Sequence, residues 1–455
     1  MSNLLSKASI ILTPTAYAEN TLFPVKPPKT IGDNSIVNGD FATDSNWTKG
    51  DGWSISGGVA SSDGSQSGFS LLSQTIDGTF NNLQDYEVTY TITSYTSGSV
   101  CIIGFTGGGS DAYGTNRTEA GTYTEIIRAN GNTAVSIRVN PGGKNPAFVG
   151  SVDNVIVKKI SKADFTTQTR SNKTRVNESG NVETVDAALP RIDYTGGVGH
   201  ILFEPQSTNL FLNSATLSTQ GVTTTAASHT VSFYGTGSIT LSGTHSATIN
   251  GTGANNRVSL SFTPSSGTLT CTVSGSVTNA QIEALSYATS YIPTTSGTVT
   301  RTSSSSAISG GLLEFINSSE GVLYVEAAAL ANDGTTRNIA LTDNSISNRV
   351  CLEWDETSNV IKGFVVDGGG QQATLSYTAP DLTQYNKIAL KYKANDMALW
   401  FNGSEVATDT SGTMPSGMFV FETNRGDQFE FNGKIKCLAV YKEALTDAEL
   451  TCLTT

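Results

Sequence analysis

Long stretches of this chain change character at every second residue, and that alternation constrains the fold more than any other feature. Tyr86, Val88, Tyr90 and Ile92 alternate with Glu87, Thr89, Thr91 and Thr93, and Val135, Ile137 and Val139 alternate with Ser136 and Arg138. A period of two puts apolar side chains on one face of a strand and polar ones on the other, as in half-buried sandwich strands. The same short-strand signal returns at Val258, Leu260 and Phe262, at Leu269, Cys271 and Val273, and at Ala280, Ile282 and Ala284. Composition points the same way: 46 glycines and only 15% charged residues favour strands and turns over helices. The expected fold class is therefore all-β, in tandem β-sandwiches, and 455 residues suffice for about three of them.

The net charge of -12 excludes sequence-independent binding to nucleic acid, which needs clustered Lys and Arg. Five cysteines without paired spacing read as small buried hydrophobes in a chain assembled in a reducing cytoplasm. No run is long enough for a transmembrane helix, so membrane insertion is not expected. Near the start, Lys7, an apolar run and Ala16-Tyr17-Ala18 imitate a cleavable signal, but Thr13 and Pro14 break the run.

In chain order, residues 1–35 read as an extended arm, because Pro14, Pro24, Pro27 and Pro28 forbid a regular helix. A first sandwich spans 36–160, an irregular connector 161–213, a second sandwich 214–301, a Ser-rich flexible linker 302–311, and a third unit 312–455. GSVDNVIV at 150–157 echoes GSVTNAQI at 275–282, which suggests two copies of one plan with Thr278 in the place of Asp153. In the third unit, Asn402-Gly403 between alternating runs signals a hairpin, and Thr446 followed by Glu449 signals a capped terminal helix.

Particular segments carry family resemblances. TRVNESGNVETVDAALPRIDYTGG and LFEPQSTNLFLNS in the connector, and QIEALSYATSYIPTTSGTVTR at 281–301, resemble segments of tailed-bacteriophage fibre and adhesin-like virion proteins. VNGDF, GWSISGGVAS and SVDNVIVKKI resemble the jelly rolls of carbohydrate-binding modules. The segment 431–453 resembles the close of a laminin G/concanavalin A-like lectin sandwich. These resemblances imply two jelly rolls followed by a lectin-like sandwich, a structural calcium held by Asp40 and Asp153, and a homotrimer attached to other virion proteins by its N-terminal arm.

No HExxH, G-x-S-x-G or P-loop is present, and His200, His229 and His245 lack metal-ligand spacing, so no enzyme is expected. For carbohydrate the candidates are Trp354, Asp355, Asn424 and Arg425, with core or turn roles as the alternative. Trp47 and Trp53 are further aromatic candidates, Trp53 in a strand pattern that suits the core. Arg175, Arg191, Glu204 and Asn209 read as a structural clasp, since guanidinium forks fasten carboxylates across irregular chain. The expected function is a non-catalytic virion fibre or adhesin, assembled in the host cytoplasm, that contacts a host-surface glycan. The alternatives are a capsid-decorating or head-fibre protein and a secreted bacterial lectin.

Overall fold

The computed structural model describes residues 4–26, 30–75, 85–104, 112–128, 134–139, 147–167, 171–303, 306–308, 314–423 and 429–455. Its described elements are strands except for a short turn of helix, Leu4–Lys7, a lone 3₁₀ position at Glu314 and the terminal helix Asp447–Thr454, so the expected all-β class holds. The chain divides into two compact units, residues 28–163 and the remainder.

Within residues 28–163, two antiparallel sheets enclose a core of alternating residues, among them Tyr86, Val88, Tyr90, Ile92, Trp47 and Trp53. Both tryptophans are buried, so neither presents a face to a sugar. The long strands Asp85–Ser97 and Val149–Ser161 pair along most of their length, and Thr30–Asn34 adds to the far end of the latter. Residues 30–34, expected in the arm, are thus an edge strand of this sandwich.

The other unit is built around a sandwich of the C-terminal residues. One sheet runs Ile192–Asp193, His200–Phe203, Gly433–Tyr441, Glu320–Ala329, Asn386–Lys393, Met397–Phe401, Ser404–Asp409. The facing sheet runs Tyr17–Ala18, Thr21–Leu22, Phe165–Thr167, Ser306–Ile308, Val420–Glu422, Arg337–Thr342, Arg349–Trp354, Val360–Asp367, Gly370–Thr378. Central strands such as Glu320–Ala329 are buried on nearly every residue, because a second apolar cluster forms on the outer side beneath Leu445 and Leu450. The terminal helix has the expected capping box between Thr446 and Glu449. Asn402 and Gly403 take positive φ in the expected hairpin.

The N-terminal segment departs from the expected arm. Ala8–Leu12 is a strand of the C-terminal sheet, with Ile10 opposite Val440 and Leu12 opposite Leu438. The physical reason lies in the ASIIL run, which has more to gain by burial than the following prolines have to lose: Ala8, Ile10 and Leu12 are almost wholly buried. The Ser-rich linker departs similarly, since Ser306–Ile308 joins Phe165–Thr167 to Val420–Glu422.

Both other sandwiches are consequently insertions. Leu22 pairs with Phe165, so residues 28–163 leave and re-enter the C-terminal sandwich between neighbouring strands. Ser207–Asn209 pairs with Val299–Arg301, closing the second sandwich in the same manner. That sandwich has sheets of four and three strands around Phe211, Val231, Phe233, Ile239 and Ile282. Excising residues 28–163 and joining the flanks with a short glycine linker should leave a monodisperse product with cooperative thermal unfolding. Aggregation or loss of cooperativity would show that the remaining unit depends on the insertion.

The internal echo is visible in the backbone. Asn154 and Asn279 both take positive φ, as do Asn38 and Asn213 on the opening segments. The Val155 amide donates to the Gly39 carbonyl, and the Ala280 amide donates to the Ser214 carbonyl. Asparagine tolerates this left-handed geometry better than other non-glycine residues, which explains its recurrence at all four positions. The two copies differ in sheet position, because Val149–Ser161 has neighbours on both sides and Val277–Glu283 lies at a sheet edge.

Candidate functional site

Glu204 follows the strand His200–Phe203 and is buried, 2% exposed. Arg191 Nη1 approaches Glu204 Oε2 at 2.6 Å and Arg301 Nη1 approaches it at 3.2 Å. Ser290 donates its backbone N–H to Oε1 at 2.6 Å and its hydroxyl to Oε2 at 2.8 Å. Arg301 Nη1 also donates to the Ser290 carbonyl at 3.0 Å. Burial alone would raise the Glu204 carboxyl, but the two guanidiniums and the Ser290 donors override it and hold the pKa at about 2. Burial pulls the Arg191 pKa down against its carboxylate partner; arginine stays charged because it starts far above neutrality.

A second carboxylate fastens the same loop. Glu283 accepts from the Thr289 amide at 2.8 Å, the Thr289 hydroxyl at 2.7 Å and Gln281 Nε2 at 2.7 Å. Gln281 Oε1 accepts from the Ile292 amide. Asn209 satisfies both ends of its amide: Nδ2 donates to the Ala280 and Ile292 carbonyls, and Oδ1 accepts from the Phe211 and Ile282 amides. The connector motif and the Gln281-to-Arg301 motif are therefore one interlocked polar cluster between the second sandwich and the C-terminal one. Ser290 and Arg301 were not singled out for this role, although both stand inside the quoted TSYIP and TR signatures.

Arg175 is placed apart from Glu204. Its Nε donates to Glu183 Oε1 at 2.6 Å within the hairpin Thr174–Val176/Val182–Thr184, and its Nη1 reaches Tyr17. Asp193 accepts from the amides of Val176 and Thr195, and His200 Nε2 lies 3.4 Å from it. Burial lowers the His200 pKa, with Asp193 opposing, so the imidazole is a packing group and not a charged ligand.

Of the carbohydrate candidates of the C-terminal sandwich, Trp354 is corrected by burial. Trp354 is 2% exposed and packs its ring 4.6 Å from Phe431, leaving no face for a sugar. Asp355 is occupied by Lys362 and the Thr357 amide. Asn424 and Arg425 lie outside the described residues. Asn402 holds its own turn through the Lys387 amide and Asn386.

Asp40 lines a hollow of about 270 Å³ with Asn34, Asn38 and Asn154, where the opening and closing segments of the first jelly roll meet. Asp153 accepts from the Asn154 amide and side chain beside it. Among the described residues, no group of three or more His, Cys, Asp or Glu side chains is gathered for a metal. The five cysteines form no disulfide, and Cys101, Cys271 and Cys351 are buried.

A larger cleft of about 660 Å³ opens between the 174–197 segment, the second sandwich and the C-terminal sandwich. Tyr194, Asn255, Asn256, Arg257 and Lys434 line it, together with Glu204 and Ser290. None of the first five was singled out as a site residue from sequence. They sit on segments distant in the chain, and no spacing rule joins them.

Residues 325–451 match the laminin G family model described as the concanavalin A-like lectin/glucanases superfamily. No protein of curated function matches the sequence. Among solved structures, the chain is similar to the Ruminococcus gnavus IT-sialidase CBM40 bound to α2,3-sialyllactose, at 18% identity and TM-score 0.29, over 32% of this chain and 89% of that one. It is similar to the leech intramolecular trans-sialidase at 19% identity and TM-score 0.27, over 30% of this chain and 23% of that one. Mouse laminin α1 domains LG4-5 align over 89% of this chain and 94% of that one, at 9% identity and TM-score 0.18. The family match over 325–451 makes the C-terminal sandwich a concanavalin A-like domain, and the chain is a multi-sandwich protein that contains one.

Proposed function

We propose that this protein is a non-catalytic adhesin of a tailed-bacteriophage virion, a fibre component that holds a host-surface glycan. The observation that carries the reading is the meeting of the two fibre-like motifs. Connector residues Arg191 and Glu204 close on Ser290 and Arg301, nearly a hundred positions later, so the resembling residues work as one device. That device is a clasp: it fixes the second sandwich against the concanavalin A-like domain and leaves a defined cleft between them. The lectin-type family match over 325–451 supports a glycan as partner, and homotrimeric assembly with other virion proteins belongs to the same proposal.

Labelled antibody against the protein, imaged on purified particles, tests this reading. Label on the tail supports it, label on the head converts it to a head-fibre protein, and absence from particles refutes it. Incubation with host polysaccharide should release no oligosaccharide; release would make the protein an enzyme.

The calcium ion belongs to the same proposal. The second copy of the corner closes with Ala215 and Thr278 where the first has Asp40 and Asp153, so carboxylates are not needed to turn the chain. Their presence in the first copy then favours a cation role. Calcium should raise the unfolding temperature of the first jelly roll, and Asp40→Asn should remove the rise. Identical melting in calcium and in chelator would eliminate the ion.

A further inference from the structure

We propose that the cleft between the second sandwich and the concanavalin A-like domain is the glycan site, and that it takes a neutral, hydroxyl-rich oligosaccharide; this deepens the adhesin reading and rests on it. The volume of about 660 Å³ suits a small ligand. Tyr194 supplies a half-buried ring whose edge lies against Gly199, where even a β-carbon would come within 3.1 Å of it. The contact fixes the ring, which lowers the entropy cost of stacking a sugar on it. Gly196 and Gly197 follow with positive φ and open space around them, so no side chain fills the mouth.

The opposite wall offers amides. Asn255 and Asn256 are exposed near the start of Gly253–Phe262, and each amide both donates and accepts, as a sugar hydroxyl does. Arg257 behind them is held by the Thr289 carbonyl and the Ser232 hydroxyl, over the Tyr234 ring, with no carboxylate partner among the described residues.

Charge decides the ligand class. Arg175 is neutralised by Glu183, and Glu204 by Arg191, with Arg301 left as one buried positive charge behind the wall. What remains on the lining is Arg257 and Lys434 against Glu178 and Asp193, two charges of each sign. A wall so balanced, with a single buried positive charge behind it, gives little field to attract an acidic sugar, and its mixed donors and acceptors match hydroxyl groups.

The test is calorimetric binding of neutral and carboxylated oligosaccharides to the full chain, to an Asn255→Ala/Asn256→Ala double variant and to Asn255→Trp. All these positions are exposed, so the fold should persist, and unchanged melting verifies it. Wild type should bind a neutral oligosaccharide with little salt dependence. The double variant should lose roughly 10-fold in affinity on the scale of two hydrogen bonds, and the tryptophan should block binding. Undiminished binding by both variants overturns the cleft and leaves the adhesin reading standing. Binding of carboxylated sugars alone, falling steeply with salt, overturns the ligand class. A wild-type chain that binds no saccharide overturns both.

Discussion

Replacing Glu204 with alanine should cost about 3–5 kcal/mol of stability in the unit that contains it, the usual effect of removing one partner from a buried ion pair. The loss arises mainly from what is left behind: Arg191 and Arg301 would face each other 7% and 1% exposed, with no carboxylate between them. Thermal unfolding should therefore shift downward by several degrees, and the second sandwich should become more open to protease. Arg191→Ala should weaken the same contact less, because Arg301 and Ser290 still hold the carboxylate. The wild-type protein carries an acid signature of this cluster. Glu204 titrates at about 2 when folded against an ordinary 4.5, so its stabilisation is complete above pH 4.5 and is lost as pH falls toward 2. The gap corresponds to about 3 kcal/mol, and Glu204→Ala should flatten that part of the stability–pH curve. A variant with unaltered melting and an unaltered acid limb would reduce the clasp to a bystander.

Deleting residues 1–12 should be equally damaging, although a free attachment arm could be removed without harm. Ile10, Ile11 and Leu12 are 0%, 7% and 1% exposed against Gly433–Tyr441. At roughly 1.5–3 kcal/mol for each buried aliphatic side chain, the strand contributes on the order of 5 kcal/mol or more. Its loss would also bare the backbone of residues 438–441 as an unpaired sheet edge, a template for aggregation. The expected result is a poorly soluble product, and Ile10→Asp should reproduce it at full length. A soluble, normally melting truncation would return these residues to the role of a tail.

What the sequence disclosed followed the range of its signals. Alternation located the strands of the first sandwich because a strand's burial pattern is local, and the Asn402-Gly403 turn and Thr446 cap are local for the same reason. Ala8–Leu12 and Ser306–Ile308 were misplaced because a strand's partner is not written in the strand. Short runs beside proline or serine look like tails until a distant edge covers them. Arg191, Glu204 and Asn209 were legible as structural residues through their chemistry. Their partners Ser290 and Arg301 needed the fold, since nothing in the spacing shows which loop meets which carboxylate. Trp354 misled because an aromatic residue in an alternating strand reads alike for core and for ligand until the facing side chain, Phe431, is known.

The double insertion also sets an order of events. The concanavalin A-like domain needs residues 8–12 and 433–441 in one sheet, and the bond from the Ser9 hydroxyl to the Val440 carbonyl spans 431 positions. Each inserted sandwich closes over its own stretch of chain and can form while synthesis continues at roughly 5–20 residues per second. The sandwich whose strand appears first is therefore the last to be completed, and ASIIL must wait on the order of tens of seconds for its partner. During that interval the nascent chain carries a sticky apolar strand with no edge to occupy. The prolines that follow it, Pro14 and Pro24, act then as guards, since they keep the waiting segment from extending into a longer aggregating strand.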